Sequence, residues 1–313
     1  MPSLKIIRKR IASVKSTQKI TRAMKMVAGA KLNRAQQRIV ALRPYAVKTT
    51  EILQTVTDSM SRGGPADDQA VADDDLSNPL LAQRPEKNIL YVVLTSDRGL
   101  CGAFNTNVSK AVEREWREKR DREGVTVKFA TVGKKGREYL RRRNGDVAQD
   151  FQKIYDGLDL EKSRLVTSWI VSRFAKGEFD AVYIVYNEFK SAITQQVTIE
   201  PLLPLKKREE ESADGERSKD DDQKAMVADL LYEPNPRALL ERLVPMYVEI
   251  SLYRALLESQ ASEFGARMTA MDAATRNAKD MISRLTLVYN RARQAAITTE
   301  LMEIIGGAEA LKE

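Results

Sequence analysis

Residues 4–42 read LKIIRKRIASVKSTQKITRAMKMVAGAKLNRAQQRIVAL, and this stretch decides the fold. Its apolar residues recur at alternating steps of three and four, which is the spacing of one helix of a coiled coil. Pro44 predicts a kink or a missing hydrogen bond, but the stripe continues on both sides of it. We therefore predict one helix within residues 1–60, from about Ser3 to Met60 and about 87 Å long. The stripe consists of Leu4, Ile7, Ile11, Val14, Ala28, Leu32, Ala35, Ile39, Leu42, Ala46, Leu53, Val56 and Met60.

The C-terminal segment repeats this pattern. Apolar residues keep the same spacing from Tyr247 to Ala296, after Pro245, the last proline of the chain. A helix from Met246 to the C-terminus would be about 100 Å long. Neither helix fits inside a compact domain of this size, so the two must project and pack on each other. The fold class predicted is an α/β body plus a long antiparallel two-helix coiled coil, with the second helix placed in residues 230–313.

The middle of the chain indicates an α/β domain, placed at 87–205 and Rossmann-like in its order of elements. Apolar strands alternate with helices there, which favours an at least partly parallel sheet. Two charged segments flank it: an acidic linker at 61–86 and a mobile loop at 206–229. The predicted strands are 88–96, 125–132, 179–186 and 192–200, and the predicted helices are 102–123, 134–143 and 158–176.

Composition excludes several classes of protein. The 313 residues contain no histidine and one cysteine, Cys101, so a histidine-based catalytic group, an intrachain disulfide and a structural zinc site are excluded. No apolar run is long enough to span a membrane, and the single cysteine suits a reducing compartment. The net charge is +8, and residues 1–60 hold thirteen Lys and Arg against two acids. The first helix is thus a basic rod, suited to nucleic acid or to an acidic protein surface.

Two glycine-containing turns could approach a phosphate. Ser96–Gly102 follows the first predicted strand, and Gly133–Gly136 follows the second and opens a helix. Neither has the spacing of a dinucleotide or P-loop motif, so tight strand-to-helix turns are the competing interpretation. No cofactor, metal or catalytic constellation is predicted.

The stripe of the first helix is interrupted by polar residues. Gln18, Thr21 and Lys25 occupy heptad positions, while Ile20, Met24 and Val27 lie on a displaced face; the interruption either sets register or marks a part that leaves its partner helix and faces another protein. In the antiparallel pairing we expect Gln18–Lys25 to lie near Arg293–Glu303.

Several segments resemble the gamma subunit of F-type ATP synthases, in the right order and over essentially the whole chain. They are Ile11–Ala28 (IASVKSTQKITRAMKMVA), Arg43–Ala46 (RPYA), Thr95–Gly102 (TSDRGLCG), Leu231–Pro234 (LYEP), Ala261–Glu263 (ASE) and Tyr289–Gly306 (YNRARQAAITTELMEIIG). The resemblance implies a non-catalytic central rotor shaft that couples proton-driven rotation of the c-ring to ATP synthesis in a ring of three alpha and three beta subunits. It also implies contact with epsilon and a peripheral position on the cytoplasmic face of a bacterial plasma membrane.

The resemblance also implies partner contacts. Those to the alpha/beta ring are Met24, Lys25, Arg293, Gln294, Thr298, Glu300 and Glu303, and those at the c-ring and epsilon foot are Tyr232 and Glu233. The segments 61–85 and 206–223 look longer and more acidic than the family's usual pattern, and there is no second cysteine for thiol regulation. A DNA-associated coiled-coil protein and a nucleotide-binding enzyme are the rival classes.

Overall fold

Two long helices dominate a computed structural model that describes residues 3–61, 80–121, 124–205 and 236–310. The first, α1, spans Leu4–Ser61 and contains Pro44, as the apolar stripe predicts. The last, α5, spans Pro236–Ala310, and its 75 residues make it about 110 Å long. Among the described residues, no helix is both long and apolar enough to cross a membrane.

The start of α5 corrects the prediction of a helix from Met246. The helix already includes Pro245, although proline lacks the N–H of one helical hydrogen bond. Val244 and Val248 on either side are completely buried against the body, and this packing outweighs the local loss. The predicted residues 230–235 lie outside the described part, as do 62–79 and 206–229.

Between the long helices, an α/β body is built on a five-stranded sheet in the order β3-β2-β1-β4-β5. β1 to β4 run parallel, and β5 is antiparallel to β4. The strands are β1 Asn88–Leu94, β2 Thr126–Val132, β3 Val147–Phe151, β4 Ala181–Phe189 and β5 Gln195–Leu203; the helices are α2 Phe104–Arg120, α3 Lys134–Arg141 and α4 Leu160–Ala175.

Most predicted elements are present, with two differences. β3 was not predicted, because its sequence VAQDF has no apolar run and is only half-buried. The last predicted strand, at 192–200, begins three residues later as Gln195–Leu203.

Each face of the sheet has its own apolar core. On one face, residues of β1, β2 and β4 pack against α4, the C-terminal end of α1 and the first half of α5. On the other, Ile89, Tyr91 and Val93 pack against α2 and α3. The body thus packs against the part of α5 that precedes Met271, and the rest of α5 extends away from it.

Candidate functional site

The projecting halves of α1 and α5 lie side by side and run in opposite directions. The hydroxyl oxygens of Thr21 and Thr275 are 2.8 Å apart, and Lys25 Nζ lies 2.5 Å from Asp272 Oδ1. Nearer the projecting tip, which is formed by the N-terminal end of α1 and the C-terminal end of α5, Arg8 Nη2 donates to Tyr289 Oη at 2.7 Å. Residue numbers of facing pairs therefore rise on one helix as they fall on the other.

This register corrects the expected position of Gln18–Lys25. Lys25 faces Asp272 rather than Arg293–Glu303, which begins about 30 Å further along α5. Arg293 lies one turn beyond Tyr289 and so is level with the first residues of α1.

The stretch of α1 with the polar heptad positions stays in contact with α5. Thr21 is 8% exposed and faces α5, whereas Ile20 and Val27 are 57% and 56% exposed. Lys25 donates to Asp272, which lowers the pKa of that carboxyl. The interpretation that this part of α1 leaves its partner helix is wrong, and polar pairs that set register explain the pattern better.

The tip of α5 is uncovered among the described residues. Arg293, Gln294, Thr298, Glu300 and Glu303 are all exposed there. Large apolar side chains share this surface: Leu301, Met302, Ile304 and Ile305 are 54%, 62%, 69% and 51% exposed. An apolar surface of this kind, mixed with charges, is typical of a protein–protein contact. Tyr232 and Glu233, the other predicted contacts, lie outside the described residues.

The two candidate phosphate turns contact each other. The first amide groups of α3 already have acceptors: Lys134 N donates to Asp97 Oδ1 at 3.0 Å, Lys135 N to Ser96 O at 3.1 Å and Gly136 N to Thr95 Oγ1 at 2.8 Å. A helix N-terminus attracts anions through such amide groups, and here a carboxylate of the same chain takes that position. This geometry supports tight turns rather than a phosphate site.

Cys101 is buried in the first of these turns. Burial raises the pKa of its thiol, and Asn105 Nδ2 donates to its Sγ at 3.2 Å. A thiol with a raised pKa is a poor nucleophile at neutral pH, so its role is packing against Phe104 and Ala266. Within the described ranges, no group of acidic or cysteine side chains could hold a metal ion.

Sequence reasoning missed the residues of α5 that face α1. Asp272 and Thr275 carry no motif, and only the polar positions on α1 signalled that polar partners must exist. Glu263 belongs to a segment that carries the resemblance, but its pairing with Arg267 inside α5 was not predicted; the two side chains are 9% and 12% exposed and lie 2.7 Å apart.

These features define a class: an elongated protein in which an α/β body holds two long antiparallel helices with an uncovered tip. A family model described as ATP synthase matches residues 3–311. The ATP synthase gamma chain of Sorangium cellulosum is 55% identical over the full length of both chains. The chain belongs to the ATP synthase gamma-chain family.

Solved structures of similar fold come from rotary assemblies. A chain of the Tetrahymena thermophila mitochondrial ATP synthase central stalk and c-ring matches with a TM-score of 0.59 and 25% identity, over 82% of this chain and 99% of that one. A chain of the Euglena gracilis mitochondrial ATP synthase rotor matches with a TM-score of 0.61 and 18% identity, over 94% and 98%.

Proposed function

We propose that α1 and α5 form a coiled coil that serves as the rotating central shaft of an F-type ATP synthase. The uncovered tip of α5 is the observation that carries this proposal, because exposed Leu301, Ile304 and Ile305 form an apolar surface of the kind that partner subunits cover in an assembled complex. A ring of three alpha and three beta subunits covers this tip, and its beta subunits perform the catalysis. The chain itself transmits torque and has no catalytic role.

Charge supports the same assignment. Residues 1–60 carry a net charge of +11, and α1 displays much of it along an exposed face. This basic face fits an acidic segment of the beta subunits. We place the ring contacts at Met24, Lys25 and the α5 tip residues Arg293, Gln294, Thr298, Glu300 and Glu303. Tyr232 and Glu233 are placed at the foot, with the c-ring and epsilon.

The proposal implies a position in the cell. A shaft that joins a soluble ring to a membrane ring is a peripheral membrane protein. In a bacterium it lies on the cytoplasmic face of the plasma membrane, in the complex that couples proton flow to ATP synthesis.

The first test is purification of the tagged full chain from nuclease-treated membranes. We expect alpha and beta subunits in a three-to-three ring, together with epsilon. Absence of alpha and beta subunits, together with salt-dependent binding of the purified chain to added duplex DNA, would instead favour the rival DNA-associated class.

The second test addresses the tip. We expect Arg293→Glu to lower ATP-driven proton pumping relative to ATP hydrolysis in membrane vesicles, because it reverses a charge at the contact with the ring. Arg284→Glu makes the same change at an exposed site on the same helix, outside the proposed contact. Equal pumping-to-hydrolysis ratios in the two variants would contradict the contact role of the tip.

A further inference from the structure

One turn of α5 is buried on every side. The five consecutive residues from Ser259 to Glu263 are 0%, 7%, 0%, 0% and 7% exposed. Because successive helical residues are about 100° apart, five of them cover more than a full turn. The body and α1 therefore enclose α5 completely at this level, whereas beyond Ala278 the helix is largely exposed.

Polar residues fill this enclosed turn, and their partners come from different elements. Ser262 Oγ donates to the backbone oxygen of Asn187 in β4 at 2.9 Å. Gln260 Nε2 donates to the backbone oxygen of Tyr155, which precedes α4, at 3.3 Å. The Tyr155 hydroxyl in turn lies 3.3 Å from Ser259 Oγ.

A further contact comes from the loop after β1. Arg267 Nη2 donates to Gly99 O at 3.3 Å and pairs with Glu263. Asn187 Nδ2 extends the network by donating to Phe104 O at the start of α2. The hydrogen bonds thus reach α5 from several directions around its axis.

Apolar packing and hydrogen bonds hold a helix differently. Apolar contacts are non-directional, so they resist withdrawal of a helix more than a small rotation about its axis. Buried hydrogen bonds are directional, and a rotation that separates them leaves desolvated polar groups without partners. A fully enclosed turn with such bonds therefore fixes the rotational angle of α5 within the body.

We propose that Gln260 and Ser262 are positioning residues that lock α5 rotationally to the α/β body, so that torque passes between body and shaft at this turn. The torque part of this proposal rests on the proposed rotor function. The locking itself is a property of the isolated chain, and the two parts have separate measurements.

The locking is tested with spin labels on the full chain. Labels are attached to cysteines that replace exposed Lys110 in α2 and exposed Asp280 on α5, in a Cys101→Ser background. The test variant, Gln260→Met with Ser262→Ala, removes two side-chain donors while nearly keeping volume. The control, Ser283→Ala, removes an exposed hydroxyl that bonds only within its own helix.

We expect the label-to-label distance distribution to broaden in the test variant and to stay unchanged in the control. Misrotated forms should become about fivefold more populated for each hydrogen bond lost, the factor equivalent to about 1 kcal/mol. An unchanged distribution in the test variant, or equal broadening in both variants, would overturn the locking role.

The torque role is tested in the assembled complex. We expect the test variant to assemble and hydrolyse ATP but to pump fewer protons per ATP than the Ser283→Ala control. Equal pumping in a coupled complex would overturn the torque role. If the wild-type chain does not assemble with alpha and beta subunits, the rotor function itself fails, and the distance distributions alone then decide whether the lock exists.

Discussion

Substitution of Gly133, between β2 and α3, tests the conclusion that this glycine turn serves packing rather than phosphate binding. Its backbone lies at φ 96° and ψ 143°, a region that residues with a Cβ rarely adopt. A Cβ added to it would lie 2.0 Å from Thr95 O at the end of β1. Gly133→Ala therefore requires either β1 or the start of α3 to move.

The magnitude follows from the strain and from the contacts that such a shift disturbs. The unfavourable backbone angle costs about 1–3 kcal/mol. The shift also weakens the hydrogen bonds from α3 to Thr95, Ser96 and Asp97, each of which contributes about 0.5–1.5 kcal/mol. We expect the body to lose about 3–6 kcal/mol of stability, which places this substitution among the severe ones.

The measurement is urea unfolding followed by tryptophan fluorescence. Both tryptophans, Trp116 and Trp169, belong to α2 and α4, so the signal reports the body rather than the shaft. Gly99→Ala is the matched control, because a Cβ at Gly99 meets no atom within 4 Å. Gly133→Ala with wild-type stability would refute the packing argument, as would an equal loss in both variants.

Two further predictions concern polar groups on the long helices. Burial raises the pKa of Glu258 above its usual 4.5, among Arg254, Glu188, Glu200 and Lys190, and its Oε2 has no hydrogen-bond partner within the described residues. The folded state then holds a proton that the unfolded state releases, so the stability of the wild-type chain falls as pH rises from about 4.5 through the folded pKa. Urea titrations should show Glu258→Gln gaining stability relative to the wild type over that pH range. A difference in stability that does not depend on pH would contradict this. Replacing either Thr21 or Thr275 by Val should destabilise the shaft by about 1 kcal/mol or less, because the remaining hydroxyl keeps only the backbone acceptor in its own helix, Gln18 O or Met271 O, and faces an apolar group across the pair. Replacing both should cost less than the sum of the two single changes, and a double-mutant cycle with no coupling would contradict the pairing.

The long helices were predictable because their patterns extend over many turns, whereas their register was not. An apolar stripe with a heptad repeat is satisfied equally well after a shift of seven residues, so it predicts the length of each helix but not the register. The antiparallel direction follows from the topology, because α1 leads into the body and α5 leads out of it. The polar pairs Thr21 with Thr275 and Lys25 with Asp272 distinguish one register from the others. The expectation that Lys25 lies near Arg293 failed for this reason.

The body was predictable where strands are apolar and less so elsewhere. β1, NILYVVL, is almost entirely buried and was evident from its sequence. β3 is a short edge strand that contains Asp150, whose carboxylate accepts from Thr131 and Arg137. Such an edge depends on partners distant in sequence, which a local pattern does not reveal.

α5 occupies the place where open α/β sheets bind their ligands. In open α/β sheets, ligands bind at the carboxyl ends of the strands where the strand order reverses, which in this sheet is between β1 and β4. That crevice holds α5 instead: Ser262 bonds to Asn187 at the end of β4, and Ala266 packs against Cys101 in the loop after β1. The first amide groups of α3 beside it donate to Asp97 Oδ1, Ser96 O and Thr95 Oγ1. The polar groups at the carboxyl ends of β1 and β4, which bind ligands in other open sheets, thus contact α5 here. They hold α5 by directional hydrogen bonds as well as by apolar contacts.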